Sequence, residues 1–246
     1  MSTDQITAVL GEWEGYRIGT AQRFEAGRKG PTVQVWIELL PDYSRPMVCS
    51  GCGQATHHLH DVEERWVRDL PIFEAQTHLL VHRRRVLCPT CGPKLEQLGW
   101  LNRYARVTKR LAENVTRLCA ILPVRHVADF YGLHWGTVKQ IDKQHLLEKL
   151  GPPDLTGLEA IVMDEFALQK GHRYATVIVE PYTKRMLWVG RGRGREDIRP
   201  FFDLLGEQGR QTLRAVVMDM NGAYEEEVRH QCPLAEVVYD LFHVVA

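Results

Sequence analysis

Two groups of residues in this chain have the types and spacing to do chemistry. Cys49-Ser-Gly-Cys52 and Cys88-Pro-Thr-Cys91 are C-x-x-C knuckles, each followed by a glycine, Gly53 and Gly92, that permits the tight turn by which backbone amides reach the sulfurs. Four thiolates would close a tetrahedral zinc site with no position open to substrate. The zinc expected here is therefore structural, contributing roughly 10 kcal/mol or more to the folding of a small unit. The 35 residues between Cys52 and Cys88 are enough for a β-hairpin. His57, His58 and His60 read as surface residues, and Cys119 and Cys232 stand alone. A redox pair, or buried cysteines without a ligand, is the competing reading.

The second group is acidic. "IVMDEFALQK" (161–170) and "AVVMDMNGAY" (215–224) are apolar runs that both reach Met-Asp. Carboxylates on neighbouring strand ends repel unless they share a cation, and rigidly mounted oxygen ligands suit Mg²⁺ or Mn²⁺. Asp164 and Asp219 are thus candidate metal ligands. The plainer alternative is two unrelated aspartates capping turns.

The elements that must hold these residues can be read in order. Residues 1–45 contain two β-rich runs, "YRIGTAQRFEA" and "TVQVWIELL", joined by the turn-forming "GRKGP". Residues 46–100 form the zinc-ribbon segment, with "RWVRDL" and "THLLVHRRRVL" between the knuckles. Residues 101–150 switch to helical periodicity, "GPPDLTG" makes a Pro/Gly linker, and 158–246 alternate between strand and helix. In that last segment, three successive strands suggest antiparallel pairing, and the later strand–helix–strand alternation suggests parallel pairing. The fold class expected is multidomain α+β with a mixed C-terminal sheet.

Charge is segregated rather than excessive. Lys+Arg and Asp+Glu each number 31, yet residues 101–150 carry nine basic and four acidic residues. Within that stretch "VRHVADFYGLHWGTVKQIDK" (124–143) has apolar or small residues at Val127, Ala128, Tyr131, Leu133, Val138 and Ile141, with Gly132 between the clusters, which is helix-turn-helix spacing. The second helix would offer His134, Trp135, Thr137, Lys139, Gln140 and Lys143 to DNA. An ordinary three-helix bundle with a polar face is the alternative. Gly136 counts against the second helix by about 1 kcal/mol of propensity. Arg83, Arg84 and Arg85 are candidate phosphate contacts, or else charges guarding an edge strand. The N-terminus lacks a signal-peptide pattern and no run approaches the roughly 18 apolar residues of a membrane span, so a cytoplasmic location is expected.

"MDEFALQKGHRYATVIVEP", "VVMDMNGAY" and "CPLAEVVYDLFHVV", downstream of the cysteine pairs and the helix-turn-helix, resemble the insertion-sequence transposases of the ISL-three (ISL3) family. The likeness runs from about residue 45 to the last residue given. It implies a ribonuclease-H-like core and DDE chemistry, with two metal ions promoting in-line attack on a DNA phosphodiester. Asp164 then becomes the first catalytic aspartate and Asp219 the second, with Glu165 a neighbour rather than a ligand. Lys170, His172 and Arg173 match the family motif and would contact DNA backbone. In Asp240-Leu-Phe-His243, His243 has either a catalytic role or a hydrogen bond to Asp240. "GRGRGR" from Gly190 reads as a flexible basic loop near DNA. The expected partners are element terminal repeats and target DNA, with further copies of the chain assembled on them.

The family's third acid, a glutamate on a later helix, has no counterpart before Ala246, and Glu225, Glu226 and Glu227 follow Asp219 too closely. The sequence as given thus predicts a C-terminally truncated, inactive form of a transposase. The alternatives are a zinc-ribbon and helix-turn-helix regulator that binds without cutting, and a stand-alone ribonuclease-H-like nuclease.

Overall fold

The computed structural model describes residues 13–26, 32–169 and 173–240. The chain divides into two compact units, 1–149 and 150–246.

The first unit is built on a sheet of order β1-β2-β6-β5, with β7 paired to the end of β6. Its strands are β1 (Tyr16–Ala26), β2 (Thr32–Pro41), β5 (Leu59–Ile72), β6 (Ala75–Cys88) and β7 (Gly92–Leu95), while β3 (Met47–Val48) and β4 (Ala55–Thr56) form a separate two-stranded ribbon. Strand β2 pairs antiparallel with β1 but parallel with β6, Ile37 opposite Leu79. The boundary expected at residue 45 is therefore crossed by a continuous sheet. Alternation along β2 and β6 buries Ile37, Leu39, Leu79 and Val81 with Trp13, Tyr16, Leu98 and Leu101.

Three helices follow: α1 (Lys109–Cys119), α2 (Val124–Tyr131) and α3 (Trp135–Leu150). They close over Leu111, Val115, Val127, Ala128, Tyr131 and Val138, positions that helical periodicity marks as inward, together with Val107 just ahead of α1. Consecutive β5 residues mount this bundle. The Asp69 carboxylate, wholly buried, accepts from Trp13 Nε1 (3.1 Å), the Thr108 hydroxyl (2.6 Å) and Arg110 Nε (2.7 Å). Thr108 in turn caps α1, accepting from the Leu111 amide. Arg68 donates to the carbonyls of Tyr131 (2.8 Å) and Gly132 (3.1 Å), which end α2.

The second unit is a five-stranded mixed sheet of order β10-β9-β8-β11-β12. The strands are β8 (Ala160–Gln169), β9 (Arg173–Val179), β10 (Met186–Arg191), β11 (Ala215–Met218) and β12 (Glu236–Tyr239). Pairing is antiparallel from β10 through β9 to β8 and parallel from β8 through β11 to β12. Helices α4 (Arg195–Thr212), broken at Gly206, and α5 (Gly222–Gln231) lay Ile198, Phe201, Phe202, Tyr224 and Val228 against Ile161, Met163, Val216 and Met218 of the sheet. The fold class is thus mixed α+β, strand-rich at the N-terminal end, helical next and mixed-sheet last. Among the described residues no helix is long and apolar enough to cross a membrane.

Candidate functional site

The four knuckle cysteines meet. The sulfurs of Cys49, Cys52, Cys88 and Cys91 all lie within 4.8 Å of one another, Cys52 and Cys88 at 3.6 Å. Sulfurs bound 2.3 Å from one zinc in a tetrahedron sit about 3.8 Å apart, so the donor set fits that ion. Positive φ at Gly53 (+73°) and Gly92 (+68°) gives each knuckle its turn. Amides of Cys52 and Gly51 directed at Cys49 bring its thiol down to about 7, while the crowded neighbouring sulfurs and burial push the Cys91 thiol up. Met47 and Val86 are the buried apolar residues packed with this site, so it has little core of its own.

The helix-turn-helix geometry is local and complete. Gly132 ends α2 in the left-handed conformation, φ +58°, and its amide points back to the Ala128 and Asp129 carbonyls. His134 then starts α3, its ring Nδ1 accepting from the Gly136 amide at 3.2 Å. Gly136 consequently sits in the first turn of α3 rather than its interior, where glycine costs most. His134, Trp135, Thr137, Lys139, Gln140 and Lys143 are all exposed. His134 keeps only Nε2 for an outside partner, since Nδ1 serves the helix.

The arginine run behaves differently from its expectation. Arg83 and Arg84 are 1% exposed. Arg83 donates to the carbonyls of Arg103 and Glu96, and Arg84 is locked onto the Glu96 carboxylate, so neither reaches a phosphate in this fold. Arg85 is partly exposed and pairs with Asp61 at 3.0 Å.

In the second unit, Met163 of β8 stands opposite Met218 of β11, the last matched pair of that parallel ladder. Asp164 and Asp219 follow in the next row, but only Asp219 lies at a strand end: β8 continues to Gln169, with Asp164 opposite Val177 of β9, so the strand-end placement expected for Asp164 does not hold. Each aspartate uses Oδ1 in the same way, Asp164 accepting from the Glu165 amide (2.7 Å) and Asp219 from the Met220 amide (2.6 Å). Met218 also matches Tyr239 of β12, so Asp240 occupies the same row one strand further on. Among the described residues, the cysteines are the one set of three or more potential ligands drawn together within 4.8 Å; the aspartates share a row without closing a ligand set.

Glu165 is held from two sides. Arg193 NH1 donates to Oε1 at 2.9 Å and Asn221 Nδ2 to Oε2 at 3.0 Å. Arg193 also lies 4.0 Å over the Tyr174 ring. The glycine-arginine run is therefore anchored rather than loose. The Gly192 amide donates to the Tyr174 carbonyl, Thr176 donates to the Gly192 carbonyl, and Arg195 pairs with Glu226 and Glu227. Arg173 is exposed on β9, its NH1 3.5 Å from Gln169 Oε1. Lys170, His172 and His243 lie outside the described residues. Asn221 escaped sequence reasoning, although Asn-Gly before a helical run is an N-cap signal.

A four-cysteine ribbon, a helix-turn-helix and a mixed sheet with two aspartates in one row make up this chain. The comparisons are specific. Residues 45–91 match the zinc-finger of transposase IS204/IS1001/IS1096/IS1165, residues 96–146 the helix-turn-helix domain of transposase family ISL3, and residues 161–246 that family's transposase segment. By these matches the chain belongs to the ISL3 family of insertion-sequence transposases. Among its relatives, the transposase for insertion sequence element IS1001 of Bordetella parapertussis is 45% identical over 238 residues, covering 96% of this chain and 57% of the relative. The transposase for IS1557 of Mycobacterium tuberculosis (strain ATCC 25618 / H37Rv) is 26% identical over 230 residues, covering 91% of this chain and 51% of the relative. The chain thus spans little more than half the length of these curated relatives.

Proposed function

We propose that these residues belong to a transposase that binds the terminal repeats of its insertion sequence and, with Mg²⁺ or Mn²⁺, cleaves and transfers DNA strands. The observation that carries the reading is the placement of Asp164 and Asp219 immediately beyond Met163 and Met218, on adjacent parallel strands. A sheet whose first strand is central, with an antiparallel meander of two strands to one side and two parallel strands to the other, supports a ribonuclease-H-like core. A divalent cation held by these carboxylates would polarise a phosphodiester and stabilise its leaving oxygen. The chain's own contribution is to fix two oxygen donors in one row, Asp164 within β8 and Asp219 just past β11. Arg173, and with it Lys170 and His172, would supply charge for the DNA backbone.

Recognition falls to α3, with Trp135, Thr137 and Gln140 at base edges and Lys139 and Lys143 at phosphates, while Arg85 is the remaining basic candidate on the ribbon. Several copies assembled on paired element ends, in the cytoplasm at the nucleoid, complete the proposal.

The test uses duplexes from the flanks of the encoding element. Affinity for the terminal repeat should exceed that for scrambled duplex by about 10³ or more at physiological salt. In protein competent for Mg²⁺-dependent nicking, Asp164→Asn and Asp219→Asn should each lower nicking by about 100-fold or more and leave binding within about 2-fold. Equal affinity for scrambled duplex overturns the recognition reading, and full nicking by either variant overturns the metal reading.

A further inference from the structure

Glu165 and Asn221 form the first cross-link beyond the row that carries the two aspartates. The β8–β11 ladder ends at Met163 and Met218, so backbone pairing between those two strands reaches the aspartates from the Met163/Met218 side only, while β8 itself runs on to Gln169 against β9. On the other side, Glu165 Oε2 accepts from Asn221 Nδ2 at 3.0 Å, joining the residue after Asp164 to the second residue after Asp219. Asn221 is oriented by its own task, since its Oδ1 accepts from the Ala223 amide at 3.0 Å and caps α5. A planar carboxamide with one end fixed in this way aims the other. The second oxygen of Glu165 is taken by Arg193, itself seated on Tyr174.

We infer that Glu165 is a positioning residue: through Asn221 it sets the separation of Asp164 and Asp219 for a divalent cation, and it does not ligate the ion itself. This rests on the metal-site reading above. Both Glu165 oxygens accept from side chains that lock them, and strand alternation sends its side chain away from the Asp164 face. Partners that orient ligands in this way are worth roughly 10–100-fold in metal affinity.

The experiment titrates Mn²⁺ into the zinc-loaded 246-residue chain and follows free Mn²⁺ by electron paramagnetic resonance. Asn221→Asp keeps the helix cap but turns the donor into an acceptor facing Glu165. Affinity should fall about 10-fold, although the added negative charge alone would raise it. The double variant Glu165→Gln/Asn221→Asp restores a donor–acceptor pair in the opposite sense with the original net charge, and should recover affinity to within about 3-fold of wild type. Melting temperatures of all variants report folding separately.

Undiminished Mn²⁺ affinity in Asn221→Asp, or a double variant no better than it, overturns the inference. Glu165→Gln as damaging as Asp164→Asn makes Glu165 a ligand and also overturns it. If Asp164→Asn and Asp219→Asn leave Mn²⁺ uptake unchanged, or wild type takes up none, the metal-site reading itself falls.

Discussion

Arg84 and Glu96 grip each other at two points inside the first unit, Nε to Oε2 at 2.9 Å and NH2 to Oε1 at 2.5 Å, with the side chains 1% and 5% exposed. Asp42 O accepts from the same guanidinium, and the Tyr16 hydroxyl donates to Glu96. Burying two charges gains little over an apolar pair, but removing one partner strands the other away from water. Glu96→Ala should therefore destabilise the first unit by about 3–5 kcal/mol, measured by urea unfolding. Arg84→Met/Glu96→Leu should cost much less than the sum of the single changes, and additive losses would contradict the pairing.

Zinc should govern the stability of the knuckle end. With Met47 and Val86 as its buried apolar neighbours, the Cys49–Cys91 site has little hydrophobic burial to fall back on. One zinc per chain is expected by atomic absorption. Its removal by a strong chelator should lower the melting temperature of the first unit by about 10 °C or more. Cys88→Ser should behave like the chelated protein, whereas Cys119→Ser should not.

Acid should loosen the second unit through Glu227. Its buried carboxylate accepts from Arg199 at 2.9 Å, Gln231 at 2.8 Å and Arg195 at 2.6 Å. Hydrogen bonding to Arg199, followed by the other partners, outweighs burial and holds it at about 2 against an ordinary 4.5. A carboxylate depressed on folding stabilises fully above its unfolded value and loses that contribution as pH falls from about 4.5 toward 2. Melting curves between pH 5 and 2 should show this loss in wild type, and Glu227→Gln, already weakened at neutral pH, should show a shallower dependence.

Residues whose partners are near in sequence were the legible ones. The knuckles, the Gly132 turn and the order of strands around Asp164 and Asp219 all follow from local periodicity and turn chemistry. Arg83 and Arg84 misled because a run of three arginines reads as surface, while strand β6 carries two of them inward to Glu96 and to loop carbonyls that local pattern does not reveal. The parallel β2–β6 pairing joins residues forty-two apart through backbone bonds, and no side-chain motif announces it. Glu165 was read as a bystander to Asp164, and its link to Asn221 is likewise non-local.

On the proposed DNA-binding reading, the exposed face of α3 would separate positioning from reading. Lys139 and Lys143 are charged, exposed and one helical turn apart, the spacing of side chains that follow a phosphate backbone. Replacing either by alanine should weaken binding to repeat and scrambled duplex alike, and flatten the plot of log affinity against log salt by about one unit. Trp135 and Gln140 carry no charge, so Gln140→Ala should leave the salt slope intact while costing about 1–3 kcal/mol on the repeat alone. Fluorescence anisotropy across a salt series distinguishes the two classes. A lysine variant with an unchanged slope would remove that residue from the phosphate interface, and a Gln140 variant weakened equally on both duplexes would mean that α3 grips DNA there without reading it.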